Sequence, residues 1–187
     1  GIDWDSLDGI ILHNHGVFTF DNDAKASYDK MIEAVTEAKA YLEIYSDIPV
    51  DTETPRQAHD LEALQKLLSA AKGYEVTLRV NDSHLSHYFS TQEDESLYTK
   101  GVLTPEHIIR TKRLPAVFDR DYAKAMEDYM EAYRAYFERH ADGEIMLNPA
   151  PNWAVLKNYG IVAIGKDDKE ARIIEDIAMH TMNAIFL

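Results

Sequence analysis

The stretch that decides the fold is Gly9–Phe20, GIILHNHGVFTF, with the turn Asp21-Asn22-Asp23 behind it. Ile10–Leu12 and Val17–Phe20 are rich in β-forming residues, and Asn14-His15-Gly16 separates them. The stretch therefore reads as two strand halves joined by a tight turn or bulge. Asp23 is placed to cap a helix running from about Ala24 to Tyr45. Along it Tyr28, Met31, Ile32, Val35, Ala38 and Leu42 recur at three- and four-residue spacing and share one face.

The same unit returns near the other end of the chain. Leu12-His13-Asn14-His15-Gly16-Val17 and Leu156-Lys157-Asn158-Tyr159-Gly160-Ile161 share the pattern L-x-N-[HY]-G-[VI]. Both continue as a strand, an Asp-bearing turn and an amphipathic helix, which predicts a duplicated strand–helix unit. The first copy carries His15 where the second carries Tyr159. If the position holds a metal, only the first copy keeps a strong ligand.

Between the two copies, residues 46–54 read as a polar loop. Thr54-Pro55-Arg56-Gln57 has the form of a capping box with proline at the first helical position, so a helix is expected from Pro55 to about Lys72. Leu61, Leu64, Leu67, Leu68 and Ala71 form its buried face and Gly73 ends it. Val76, Leu78 and Val80 alternate with polar residues, giving a strand at about 74–80. Residues 81–103 are polar and take no regular assignment. Thr104-Pro105 opens a short helix that stops before Pro115. A longer helix covers Asp119–His140, with Tyr122, Met126, Tyr129, Tyr133 and Tyr136 as a stripe. Periodicity of this kind signals a core or helix–helix face before it signals an aromatic ligand site. Asn148-Pro149-Ala150-Pro151 is a rigid turn, followed by a strand over Trp153–Ile164 and a last helix to about Phe186.

Composition removes several function classes. At 187 residues and 45% hydrophobic content, the chain is of one-domain size and can build a core. Nineteen Lys and Arg against 33 Asp and Glu give a formal charge of −14, which argues against general nucleic-acid binding and docking on anionic membranes. There is no cysteine, so disulfides, thiol nucleophiles and Cys-type metal sites are excluded, in keeping with a reducing, cytoplasmic setting. No apolar run approaches the roughly 20 residues needed to span a bilayer. The opening GIDWDSLDG is acidic and lacks the basic and apolar regions of a signal peptide.

His13 and His15 stand two apart, and on a strand such residues point to the same face, where two imidazoles can converge on one cation. Gly16 permits a close backbone approach beside them. A catalytic zinc needs about three protein ligands and an open position. The alternative is a polar turn whose histidines bond to backbone. His59, His84, His87, His107, His140 and His180 are scattered, and His84 and His87 share a face only if that stretch is helical. An enzyme site built from His84, His87 and His107 with His15 is one further possibility, provided the four meet in space. Arg110, Lys112 and Arg113 stand out in an acidic chain and are phosphate-binding candidates. The competing account is a helix C-terminus, where the dipole favours cations. No P-loop, GxGxxG, GxSxG or HExxH is present, so kinase, serine-hydrolase and self-contained dinucleotide-binding readings lack their signatures.

The segment LDGIILHNHGVFTFDNDAKASYDKMIEAVTEAKAYL resembles the NHG segment of the class II aldolase/adducin family. LTPEHIIRTKRLP (103–115) and LNPAPNWAVLKNYGIVAIGKDDKEARIIEDIAMHT (147–181) resemble the middle of bifunctional rhamnulose-1-phosphate aldolase/alcohol dehydrogenase proteins of the short-chain dehydrogenase type. The resemblance covers most of the chain. It implies an α/β fold with a mainly antiparallel sheet flanked by helices. It further implies residues 1–48 as the end of an aldolase domain and 49–187 as a middle region with a degenerate aldolase-like unit, packed together. It implies a zinc bound by three histidines, of which His15 is one; beside it His13, Asn14 and Gly16 are substrate-contact candidates, His13 being alternatively a residue behind the metal ligands. The upstream H-x-H and catalytic acid of the family are missing, so the expectation is a fragment that is inactive alone. The parent reaction would be retro-aldol cleavage of a sugar phosphate, rhamnulose 1-phosphate to dihydroxyacetone phosphate and lactaldehyde, in a homo-oligomer. The competing expectation is a non-catalytic assembly module in the manner of the adducin head.

Overall fold

The computed structural model describes residue 3 and residues 6–13, 16–44 and 54–187. The chain divides into two compact units. One takes in Gly1–Asp47 and Leu187, the other Ile48–Phe186.

The first unit is a hairpin and a helix. Strands β1 (Gly9–Leu12) and β2 (Gly16–Thr19) pair antiparallel, with Leu12 opposite Gly16 and Ile10 opposite Phe18. Helix α1 (Ala24–Glu43) starts where Asp23 accepts a hydrogen bond from the Ala26 amide at 2.8 Å, as the sequence predicts. The Thr19 hydroxyl donates to the Ser27 carbonyl and the Ser27 hydroxyl donates to the Thr19 carbonyl, at 2.8 and 3.0 Å, which stitches β2 to α1. Lys30 bridges Asp8 and Asp21. The apolar face of α1 is not covered: Tyr28, Ile32, Val35 and Leu42 are all exposed, and no described residue of the helix is buried. Two strands and one helix enclose too little volume to bury that face themselves.

The second unit is a four-stranded sheet between two layers of helices. Its strand order is β3 (Thr77–Asn81), β6 (Gly160–Gly165), β5 (Trp153–Leu156), β4 (Ala116–Phe118). β3 and β5 pair antiparallel with β6, whereas β4 pairs parallel with β5. The sheet is therefore mixed, which corrects the mainly antiparallel expectation. The parallel pair follows from the long crossover between β4 and β5, which contains α5 (Tyr122–His140). Side-chain alternation sorts the two cores. Leu64, Leu68, Phe118, Met126, Ala154, Leu156, Val162 and Ile164 fill one, against α2 (Leu61–Lys72) and α5. Phe89, Trp153, Val155, Ile161, Ala163, Ile174 and Met182 fill the other, against α3 (His84–Thr91) and α6 (Asp168–Phe186). The remaining helical segments are a 3₁₀ turn at Glu95–Thr99, another at Pro105–His107, and the short α4 (Ile108–Thr111).

Three local expectations need correction. Helix α2 begins at Leu61, capped by Asp60, and not at Pro55. Residues 54–60 find better partners in the tertiary structure: the Gln57 amide donates to the Asn158 carbonyl, and the Arg56 guanidinium donates to the carbonyls of Tyr159 and Asp82. Residues 84–91, left unassigned above, form α3 because Ser83 caps it and Phe89 is buried beneath it. The single strand over Trp153–Ile164 is a hairpin that reverses at Lys157-Asn158-Tyr159, with Asn158 in the left-handed region at φ 57°.

That hairpin makes the duplicated unit visible in the backbone. Leu156 faces Gly160 as Leu12 faces Gly16, and Val155 faces Ile161 as Ile11 faces Val17. Leu12 and Leu156, Gly16 and Gly160, and the helix starts Ala24 and Asp168 stand at one constant spacing. The copies differ in their surroundings. A Cβ on Gly160 would lie 2.3 Å from the Asn81 carbonyl oxygen of β3, whereas a Cβ on Gly16 meets nothing within 4 Å among the described residues. Gly160→Ala is accordingly expected to destabilise the second unit by about 2–3 kcal/mol through overpacking against backbone. A shift in the urea midpoint measures it.

Candidate functional site

In the first unit the site suggested by the sequence sits on the β1–β2 turn. His13 follows β1 and is exposed. Gly16 opens β2 with a positive φ of 149°, a conformation that glycine adopts readily. Asn14 and His15 lie outside the described residues. Among the described residues no three His, Cys, Asp or Glu side chains form a group able to hold a metal.

In the second unit the equivalent turn is held by protein groups. His59 Nε2 donates to the Lys157 carbonyl at 3.0 Å, leaving Nδ1 to accept from the Tyr122 hydroxyl at 3.0 Å. The same hydroxyl accepts from the Asp60 amide at 3.0 Å. Both imidazole nitrogens are thereby used, and the network assigns the tautomer. Burial of the Tyr122 phenol holds its pKa above the ordinary value. Tyr159 packs edge-on against His59, and the Arg56 guanidinium lies 5.9 Å from its ring centre. Where the first copy has His15, the second has a tyrosine locked between a cation and an imidazole. This is a structural clasp, with neither ring nitrogen of His59 free for a metal.

The other histidines do not converge. His84 is exposed at the start of α3. His87 is buried and its Nε2 donates to the Thr54 carbonyl at 2.9 Å. His107 is half-buried in its 3₁₀ turn. A metal site from His84, His87 and His107 is therefore set aside among the described residues.

The basic cluster also separates. Arg110 is exposed, and so is Arg113, whose guanidinium lies 5.3 Å from the Tyr136 ring centre. Arg113 lines a small cavity of about 180 Å³ with Tyr129, Tyr133 and Tyr136. The tyrosine stripe thus divides its work: Met126 is buried and Tyr129 packs against the core, while Tyr133 and Tyr136 carry cations. Lys112 turns inward, with only 6% of its surface exposed. It lines a different cleft, of about 350 Å³, together with Lys72, Tyr74, Asn148, Asn152 and Glu170. Lys72 escapes a sequence reading because a lysine before Gly73 looks like an ordinary helix C-terminus.

The family model for the second domain of class II aldolases matches residues 55–186. The chain belongs to this family. The curated relative it matches is an uncharacterized oxidoreductase, YuxG, of Bacillus subtilis (strain 168), 24% identical over 182 residues. That match covers 84% of this chain and 26% of YuxG, so the chain spans about a quarter of the relative's length. Among solved structures, the chain is similar to YgbL of Klebsiella pneumoniae, a proposed aldolase/epimerase/decarboxylase. The TM-score is 0.46 and the identity 17%, over 67% of this chain and 55% of YgbL.

Proposed function

We propose that this chain is part of a metal-dependent class II aldolase that cleaves a sugar phosphate, with rhamnulose 1-phosphate as the substrate. His15 supplies one zinc ligand, and His13, Asn14 and Gly16 lie beside the substrate. The carrying observation is the pair of hairpin–helix modules in one register, with Asn14-His15-Gly16 in the first and Asn158-Tyr159-Gly160 in the second. The second module keeps the scaffold and replaces the ligand, so residues 49–187 read as a middle region that ends in a degenerate aldolase-like unit.

The described residues do not fit a complete zinc centre. Other ligands must come from outside them, and no step is assigned to a metal here. When bound, zinc would supply Lewis-acid polarisation of a substrate oxygen. The described groups hold the turns and close the sheet. The exposed face of α1 supports a homo-oligomer. Among the described residues no helix is long and apolar enough to cross a membrane.

A second reading, a non-catalytic assembly domain, draws on the clasp around Tyr159. Elemental analysis of the purified chain and of His15→Ala separates the two. About one zinc per chain, lost in the variant, is the result expected of the aldolase reading. No zinc in either protein overturns it for this chain and leaves the assembly role.

A further inference from the structure

A cleft lies between the end of α2, the residue after α4 and the 148–152 turn. Two lysines point into it. Lys112 is nine-tenths buried, and its ammonium donates to the Asn148 carbonyl and sits 4.0 Å from the centre of the Tyr133 ring. Lys72 donates to the Ala150 carbonyl at 3.2 Å and to Asn152 Oδ1 at 2.5 Å. The turn is tied to both sides: Asn148 Nδ2 donates to the carbonyls of Ala71 and Lys72, and Asn152 Nδ2 donates to the Arg110 carbonyl. Among the described residues, no carboxylate stands within 4.0 Å of either ammonium.

Two features show that this arrangement is costly. Lys112 holds φ 61° and ψ −177°, a region kept almost entirely by glycine and strained for any other residue. Buried cations without carboxylate partners are unfavourable in themselves. In a chain with a formal charge of −14, acidic partners are abundant elsewhere, yet here two lysines face an open cleft.

We propose that the Lys72–Lys112 cleft binds a dianionic phosphate group, either as the free ion or as a small phosphate monoester. Two ammonium groups match two negative charges, where a single carboxylate would leave one cation uncompensated. Glu170 is the acidic group lining the cleft; its Oε2 accepts from the Lys166 amide at 2.8 Å, and it forms no ion pair within 4.0 Å with either ammonium among the described residues. Tyr74 and Tyr133 are the other titratable groups facing the lysines. The cleft shares no lining residue with the Arg56–His59–Tyr159 clasp, and the inference does not rest on His15.

Burial pushes the Lys72 ammonium down to about 8 and the Lys112 ammonium down to about 7, Lys72 adding repulsion at Lys112. Glu170 acts the other way on Lys72. A bound dianion favours the charged amines, so binding near pH 7.5 takes up protons, and it weakens as the pH rises toward 9.

The test is calorimetric titration of the whole chain with inorganic phosphate and, separately, glycerol 1-phosphate, at pH 7.5 in two buffers of different ionisation enthalpy. Saturable binding with proton uptake is expected, and the tighter of the two probes identifies free ion or monoester. Lys72→Met and Lys112→Met should each weaken binding by about tenfold or more, the worth of one charge-assisted hydrogen bond, while Arg113→Met leaves it within about twofold. Absence of saturable binding, binding without proton uptake, or equal affinity in folded lysine variants overturns the proposal. The proton measurement needs only the native chain, so a lysine variant that fails to fold does not remove the test.

Discussion

Lys112→Met is expected to raise stability at pH 7 by about 2–4 kcal/mol and to lower the slope of the stability–pH curve between pH 7 and 10, with Lys72, held down to about 8, keeping its own share of that slope above pH 8. The ammonium's pKa falls from 10.5 in the open chain to about 7 in the fold, burial being the larger cause and Lys72 the smaller. At about 1.4 kcal/mol per tenfold change, that displacement is worth on the order of 4–5 kcal/mol. Methionine forfeits the bond to the Asn148 carbonyl and the contact with Tyr133, together about 1–2 kcal/mol, which leaves the net gain. Between the two pKa values the unfolded chain holds the extra proton, so native stability rises with pH through this window. The cost of the buried charge is fully present at and below pH 7. Above about pH 10 the curve turns down, because buried Tyr98 and Tyr129 have phenols held above the ordinary value and the unfolded chain then binds fewer protons. Urea unfolding of both proteins from pH 6 to 10 measures the slope. A wild-type curve flat from 7 to 10 would contradict the account. A gain in stability accompanied by loss of phosphate binding is the expected signature of a site maintained at the expense of the fold.

Phe118→Ala should cost about 3–5 kcal/mol. Phe118 is fully buried at the end of β4 and packs edge-on against Tyr122, ring centres 5.8 Å apart. Its carbonyl accepts from the Lys157 amide at 2.9 Å. Removing the ring leaves a cavity in the core shared by α2 and α5 and loosens the tyrosine that holds His59 in place. Ile109→Ala, at a residue 75% exposed, is the control and should stay within about 0.5 kcal/mol. Equal midpoints for the two variants would mean that this core does not carry the unit's stability.

The hairpin–helix repeat is legible because its signals are local: paired β-rich runs, a turn with Asn and Gly, and an Asp cap. The start of α2 is hidden from a local reading for a physical reason. Thr54-Pro55 has the local chemistry of a helix start, but Arg56, Gln57 and His59 bond to residues around 82, 119 and 157–159, and such distant partners leave no trace in a short window. The parallel β4–β5 pairing is hidden in the same way, since three residues, Ala116–Phe118, carry almost no periodicity. At the candidate sites, the sequence grouped Arg110, Lys112 and Arg113 by adjacency. The backbone turn at Lys112 sends that side chain inward and leaves its neighbours exposed. Its partner, Lys72, lies forty positions upstream and joins it only through the Asn148–Asn152 turn.

Every pairing in the four-stranded sheet involves residues 153–165, since β3 and β4 touch only β6 and β5. A ribosome therefore makes both edges of the sheet before it makes the centre. Until residues 153–165 have left the exit tunnel, the strands at 77–81 and 116–118 have no partners within their own unit. Their apolar residues depend on α2, α5 or a chaperone for cover in that interval. Folding of this unit thus waits for residues 153–165, and a nascent chain stalled before Trp153 should remain sensitive to protease throughout residues 77–118.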